Sequence, residues 1–184
     1  MKKRNPELLP IRIYGDKTLQ KKAEPVIQIT SEIKNFIDDL VYTMYEKEGV
    51  GLAAPQVGIS LRIFVVDPFW YNEEGEKNPI VMVNPEFIEF EDQTEFEEGC
   101  LSLPEIYDKV VRASKVTIKG LNEKGKEVKY RAEGLFSRAL QHEYDHLDGI
   151  LFIDKISKLK RIFLKKKLND LSKTTDANGV NLRR

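Results

Sequence analysis

Both histidines of this 184-residue chain fall inside one hexapeptide, "QHEYDH", Gln141 to His146. They stand four residues apart, with Glu143 directly after the first. On a helix, residues at that spacing share one face, with Cβ atoms about 5–6 Å apart. His142 and His146 can then aim imidazole nitrogens at one metal ion. Glu143 is rotated away from that face, so its carboxylate sits beside the ion and can hold a water as general base. The bland alternative is two surface histidines and a stray acid. It fits poorly, because Leu135, Phe136, Ala139, Leu140 and Leu147 cover most of the helix circumference. A helix apolar nearly all round is buried. Buried imidazoles beside a buried carboxylate need partners, and a metal supplies them.

Hydrolytic metal sites use three protein ligands and keep one position open. No Glu follows Glu143 and no His follows His146. Asp148 and Asp154 remain downstream. Upstream, the sole cysteine, Cys100, lies in "EEGCLSLP", after a strand-like segment and beside Gly99. A lone cysteine is most often a small buried apolar residue. Yet a thiolate matches imidazole in softness toward first-row metals, which favours Cys100 as third ligand, with Asp154 as the alternative. Such a donor set accepts Fe(II), Zn, Ni or Co.

The elements that must position these residues are legible in outline. Residues 1–10 read as an arm. In "TSEIKNFIDDLVYTMYEKEG" the apolar residues recur at helical spacing, Thr30 or Ser31 can cap the start and Gly49 can end the helix. "GVGLAAPQVG" reads as a Gly-rich loop. "LRIFVVD" and "IVMVN" read as strands, followed by an acidic stretch whose alternation is only partly strand-like. "KVTIKGL" and "KEVKYRAE" flank the turn "NEKG" as a hairpin. Gly134 opens a second helix, Leu135 to Leu147, closed by Gly149. A basic third helix spans 155–171, with Ile156, Leu159, Phe163 and Leu164 as its docking side, and 172–184 forms a frayed tail. The strands lack the intervening helices that a parallel sheet requires. The expected class is α+β: mainly antiparallel β-sheets around a central helix bearing the His–Glu–His set, with a C-terminal helix. Residues 1–184 are expected to form one catalytic domain.

Composition narrows the partners. Thirty Lys plus Arg balance thirty Asp plus Glu, so net charge points to no polyanion. No run of about 18 apolar residues exists to span a membrane. The start, "MKKRNPELLP", lacks the apolar core of a secretory signal. A single cysteine suits a reducing compartment, and a cytoplasmic location is expected.

Three stretches together carry a family likeness. "GVGLAAPQ" (49–56), "EGCLSLP" (98–104) and "QHEYDHLDG" (141–149) resemble, in order, the signature motifs of bacterial peptide deformylases. Glu105, where many members have Gly, is a minor departure. The resemblance implies removal of the N-formyl group from the initiator methionine of nascent peptides, with release of formate. It implies Cys100, His142 and His146 as ligands of Fe(II) and Glu143 as the proton carrier. It also implies the Gln56 side-chain amide and the Leu101 N–H as oxyanion donors. Read from its own surroundings, Gln56 is an ordinary loop residue capping its turn. Leu135 and Ala139 precede His142 by seven and three residues, on its helix face, and with Val50 can line a methionine slot. Gly51 is implied to hydrogen-bond the extended substrate backbone. Glu98 and Arg112 can pair near the Cys100 loop.

Two other readings compete. One is a metalloprotease with Asp154 as third ligand. The other is a non-catalytic metal-binding or RNA-associated module that uses the basic helix. The same helix could hold a deformylase near the ribosome through phosphate contacts.

Overall fold

The computed structural model describes residues 4–72 and 76–174. Its strands are β1 (Gly51–Ala53), β2 (Ile63–Val66), β3 (Ile80–Glu91), β4 (Thr94–Cys100), β5 (Leu103–Arg112), β6 (Lys115–Leu121) and β7 (Glu127–Glu133). Its α-helices are α1 (Ser31–Glu46), α2 (Gly134–Leu147) and α3 (Lys158–Ser172). One sheet has the order β1-β2-β3-β6-β7, and β4 and β5 form a second. Every pairing between strands is antiparallel. The class is α+β, as expected.

The five-stranded sheet is covered on both faces. Ile63, Val65, Val81 and Val83 pack with Ile37, Leu40 and Met44 of α1. Phe64, Val66, Met82, Val116 and Ile118 pack with Ala139, Leu140 and Leu147 of α2. Successive residues of a strand face opposite sides, so a sheet buried twice reads as an unbroken apolar run, here "IFVV". A third core joins Leu103, Ile106 and Val110 of β5 to Leu151, Phe152 and Ile153 and to Leu168 of α3. No described helix is long and apolar enough to cross a membrane.

The expected elements differ from the observed ones at definite places. "GVGLAAPQVG" is not all loop. Gly51–Ala53 pairs with β2 as an edge strand, and Ala54–Val57 forms a 3₁₀ turn. "IVMVN" runs on to Glu91, because register shifts near Asn84–Pro85 absorb the residues that read as a stop. Asn84 holds the opposite segment there, accepting from Val26 N–H and donating to Val26 C=O, both at 2.8 Å. The acidic stretch is thus divided: its first half, to Glu91, belongs to β3, and its second half becomes β4. Most of its residues face solvent, which erased the alternation.

The third helix starts at Lys158, capped by Ser157, rather than at 155. Its docking side is also different. Ile156, Leu164, Leu168 and Leu171 pack inward, whereas Leu159, Ile162 and Phe163 are exposed. Residues 4–9 of the expected arm lie along α1, with Leu9 N–H on Thr43 Oγ1 at 2.9 Å and Glu7 N–H on Asp39 Oδ1 at 2.7 Å. Residues 1–3 of that arm and 175–184 of the expected tail fall outside the described residues.

Gly149 ends α2 with φ 71° and returns the chain under Gln20. A Cβ there would meet the Gln20 carbonyl at 2.7 Å. Gly149→Ala should therefore cost more than the about 1–2 kcal/mol of the left-handed backbone alone. Urea unfolding should show stability lowered by that amount or more, as a reduced midpoint at unchanged slope, and an unchanged midpoint would refute the clash.

Candidate active site

Helix α2 begins where β7 ends, so its face carrying His142, Glu143 and His146 is aimed by the sheet it follows. His146 is fully buried and its Nε2 lies 3.3 Å from Cys100 Sγ. Cys100 is the last residue of β4, turned back toward β5 at Leu103. The ligand atoms of Cys100, His142 and His146 all lie within 4.8 Å of one another. Among the described residues this trio is the one group of three that could hold a metal ion.

The structure separates the two candidates for third ligand. Asp154 caps its own turn, accepting from Leu151 N–H at 3.0 Å, and pairs with Arg161 at 2.7 Å. Asp148 pairs with Arg62 at 2.8 Å. Neither joins the cluster. The donor set fits a first-row cation on chemical grounds, a soft sulfur with two imidazoles. Among the described residues, two buried atoms of the site also find no hydrogen-bond partner: Glu143 Oε2 and His146 Nδ1. Unpaired buried polar atoms are costly, and they mark where a further group belongs.

Glu98 and Arg112 do pair, and the pair is buried. Arg112 Nε meets Glu98 Oε1 at 2.5 Å and a second guanidinium nitrogen meets Oε2 at 2.9 Å, with both residues buried. The same carboxylate accepts from Arg138 at 2.6 Å and lies 3.0 Å from His142 Nδ1. Arg112 also reaches Asp145 at 2.7 Å. Fixing His142 through Nδ1 leaves its Nε2 for an ion, a common support for a ligating histidine.

Electrostatics follow from this packing. Burial opposes a charge on Glu98, but His142 and Arg112 outweigh it and hold Glu98 well below the usual carboxylate range. Burial likewise opposes a charged His142, yet Cys100 and Glu98 raise it well above its ordinary value. Burial, with His142 beside it, pushes His146 well below. Burial pushes Glu143 up to about 7, against the pull of His142 and Arg112. A carboxyl group near neutrality can both take and return a proton.

A cavity of about 450 Å³ opens over these groups. Val50, Gly51, Gln56, Leu101, Leu135 and Ala139, all singled out from the sequence, line it together with Cys100, His142 and Glu143. Gly51 is pressed against the carboxylate: a Cβ there would lie 2.5 Å from Glu143 Oε1. Gln56 caps its turn, as its own surroundings suggest, and its amide nitrogen also reaches the cluster. Its Oε1 accepts from Ala53 N–H at 2.8 Å, capping the turn, while its Nε2 donates to Cys100 Sγ at 3.5 Å and Ser102 Oγ at 3.4 Å. The segment before it clamps both sides, with Arg12 N–H on Gln56 C=O at 2.7 Å and Tyr14 N–H on Ser102 C=O at 2.9 Å.

Arg138, Asp145 and Ser102 were missed by sequence reasoning. Arg138 and Asp145 stand four before and three after His142, so helical spacing alone could have flagged them. Ser102 carried no such signal.

The family model for polypeptide deformylase matches residues 8–162. The chain belongs to this family. Its members are hydrolases that remove the N-formyl group from nascent chains, and they depend on a metal. The peptide deformylase of Halothermothrix orenii is 57% identical over 152 residues, covering 83% of this chain and 96% of that protein. That of Thermotoga maritima is 45% identical over 165 residues, covering 89% and 96%. The crystal structure of a peptide deformylase from Legionella pneumophila matches with TM-score 0.83 at 44% identity, covering 91% of this chain and 96% of that one.

Replacing Glu98 tests the support of this site. Glu98→Ala leaves Arg112 and Arg138 buried beside a void, and breaking a buried pair costs about 3–5 kcal/mol. It also frees the His142 ring, which typically weakens metal binding about 10–100-fold. Metal titration with chemical unfolding should show both losses. Wild-type affinity in the variant would remove Glu98 from the support of His142.

Proposed function

We propose that Cys100, His142 and His146 hold one divalent cation, and that Glu143, Gln56 and Leu101 carry out deformylation beside it. In this reading α2 is the central element of one catalytic domain, residues 1–184, acting in the cytoplasm. The observation that carries it is the convergence of three soft or borderline donors within 4.8 Å, two of them, Cys100 and His142, at the wall of a cavity that Glu143 also lines. The native ion of this reading is Fe(II). Zn, Ni and Co suit the same donors.

When bound, the ion supplies a Lewis acid that polarises a carbonyl and makes water a better nucleophile. Glu143 takes the proton of the attacking water as its oxygen bonds to the formyl carbon. Negative charge gathers on the former carbonyl oxygen, where the Gln56 amide and the Leu101 N–H donate. Removing one donor of this kind typically costs about 10²–10³ in rate. Glu143 then returns the proton to the amine nitrogen as the C–N bond breaks, leaving formate and a free amino terminus. Val50, Leu135 and Ala139 form the apolar wall that receives the methionine side chain, and Gly51 bonds the extended peptide backbone.

Formate release from formyl-Met-Ala-Ser is the direct test, by protein purified without oxygen and with metal content measured on the same sample. Glu143→Gln should keep its metal, because Glu143 is not a ligand, and lose about 10²–10⁴ in turnover. Near-normal turnover by the metal-replete variant would sink the assignment.

The partner reading concerns α3. Lys158, Lys165 and Lys166 are exposed there beside Leu159, Ile162 and Phe163. Other cations of the region are engaged: Lys160 with Asp108, Arg161 with Asp154, Lys155 with Asp145, and Lys167 with the Glu105 carbonyl. The exposed lysines support docking on ribosomal RNA phosphate. Changing Lys158, Lys165 and Lys166 to Glu should leave tripeptide hydrolysis intact and weaken co-sedimentation with ribosomes. Wild-type binding should fall steeply with salt. Salt-insensitive binding, equal in both proteins, would exclude it.

A further inference from the structure

Trp70 is the chain's single tryptophan and follows β2 outside the sheet. Its indole N–H donates to the Gly49 carbonyl at 2.9 Å. Gly49 lies in the turn between α1 and β1, where the chain reverses through Glu48 at φ 55°. Gly49 N–H returns to Met44 C=O at 2.9 Å, and Val50 C=O accepts from Asp67 N–H at 2.9 Å.

These bonds set the aim of the next residue. On an edge strand of an antiparallel sheet, alternate residues turn both backbone groups toward the neighbour and away from it. Val50 bonds inward, to Asp67. Gly51, opposite Val66, therefore presents its N–H and C=O away from β2, on the side of the cavity it lines. Gly49 precedes the regular ladder, and a side chain from another loop holds its carbonyl.

Trp70 is itself well braced. Its ring meets Tyr45 edge-on at 5.4 Å. The Tyr45 hydroxyl donates to Asp67 Oδ2 at 2.6 Å, and Asn78 N–H donates to the same oxygen at 2.7 Å. Lys77 Nζ lies 4.5 Å over the Tyr45 ring. On the other side, Leu101 Cδ1 lies 3.1 Å from where a Gly49 Cβ would stand. Gly49 is thus gripped between Trp70 and the residue that follows Cys100.

We infer that Trp70 is a positioning residue for substrate binding: its indole N–H fixes Gly49, so that Gly51 meets an extended peptide at one register. The inference rests on Gly51 as the substrate-pairing residue. Trp70→Phe keeps an aromatic ring against Tyr45 and removes the N–H. A net hydrogen bond of ordinary strength corresponds to about a three- to ten-fold effect. That loss belongs to substrates long enough to pair along the strand.

The test compares metal-loaded wild type and Trp70→Phe on formyl-Met-Ala-Ser and on formyl-Met alone, with thermal midpoints recorded. For the tripeptide, kcat/KM should fall about three- to ten-fold, chiefly through KM. For formyl-Met it should stay within about two-fold. Equal proportional losses on both, a loss confined to kcat, or no loss would overturn the inference. A wild type that releases formate from neither would instead overturn the reading of the site on which it rests. A second measurement needs no change at Trp70. In Glu143→Gln, saturating formyl-Met-Ala-Ser should shift the tryptophan emission and formyl-Met should not; an emission blind to the tripeptide would overturn the inference.

Discussion

The buried carboxylate of Glu98 is the constraint on which the site depends. It accepts from Arg112 of β5, from Arg138 of α2, and lies against His142 one turn further along the same helix. The β4–β5 sheet is two-stranded and mostly exposed, and such a pair is marginal alone. Arg138 adds bonds to the Val110 and Thr94 carbonyls, one on each strand. The hairpin is thus fastened to α2 by charge-assisted hydrogen bonds rather than by a broad apolar face. Burying these charges costs several kcal/mol per ion before their pairing offsets it. The arrangement places Cys100, at the end of β4, against His146.

The catalytic motif was legible because its chemistry is local. Two histidines at helical spacing with an interposed glutamate need nothing beyond the helix to be read. Cys100 was harder, since only its softness toward first-row metals and its place beside Gly99 favoured it over Asp154. Sequence separation hid the rest. Asn84–Pro85 reads as the end of a strand, and only the pairing with β6 from Glu86 onward shows that the strand continues. The inward residue of β4 is Glu98, a charge, so the alternation rule had no apolar residue to find. Helix α3 misled in the opposite way, because six cations hid which of its apolar residues face inward.

Gln56 shows why a structural and a functional reading need not compete. Its carbonyl oxygen is committed to Ala53 N–H, which fixes the rotation of the side chain. The amide nitrogen is then left pointing at Cys100 and Ser102 with no freedom to turn. A donor held this way has lost its rotational entropy on folding rather than at the moment of reaction. Under the role proposed for Gln56, that is the sense in which a preorganised donor stabilises developing charge better than water does.

The contact between Gly51 and Glu143 joins the two halves of the chemistry. Under the roles proposed above, the general base lies within 2.5 Å of where a Cβ on the substrate-pairing residue would stand, so any side chain at 51 must displace the carboxylate. Close approach has an electrostatic consequence as well. With β1 against it, Glu143 is shut off from bulk water, and burial is the largest influence raising it to about 7. A nearby cation favours the ionised form and would pull that value down again, toward a carboxylate ready to accept a proton. The small residue at 51 therefore lets the edge strand pack against the Glu143 carboxylate and helps to keep it from water.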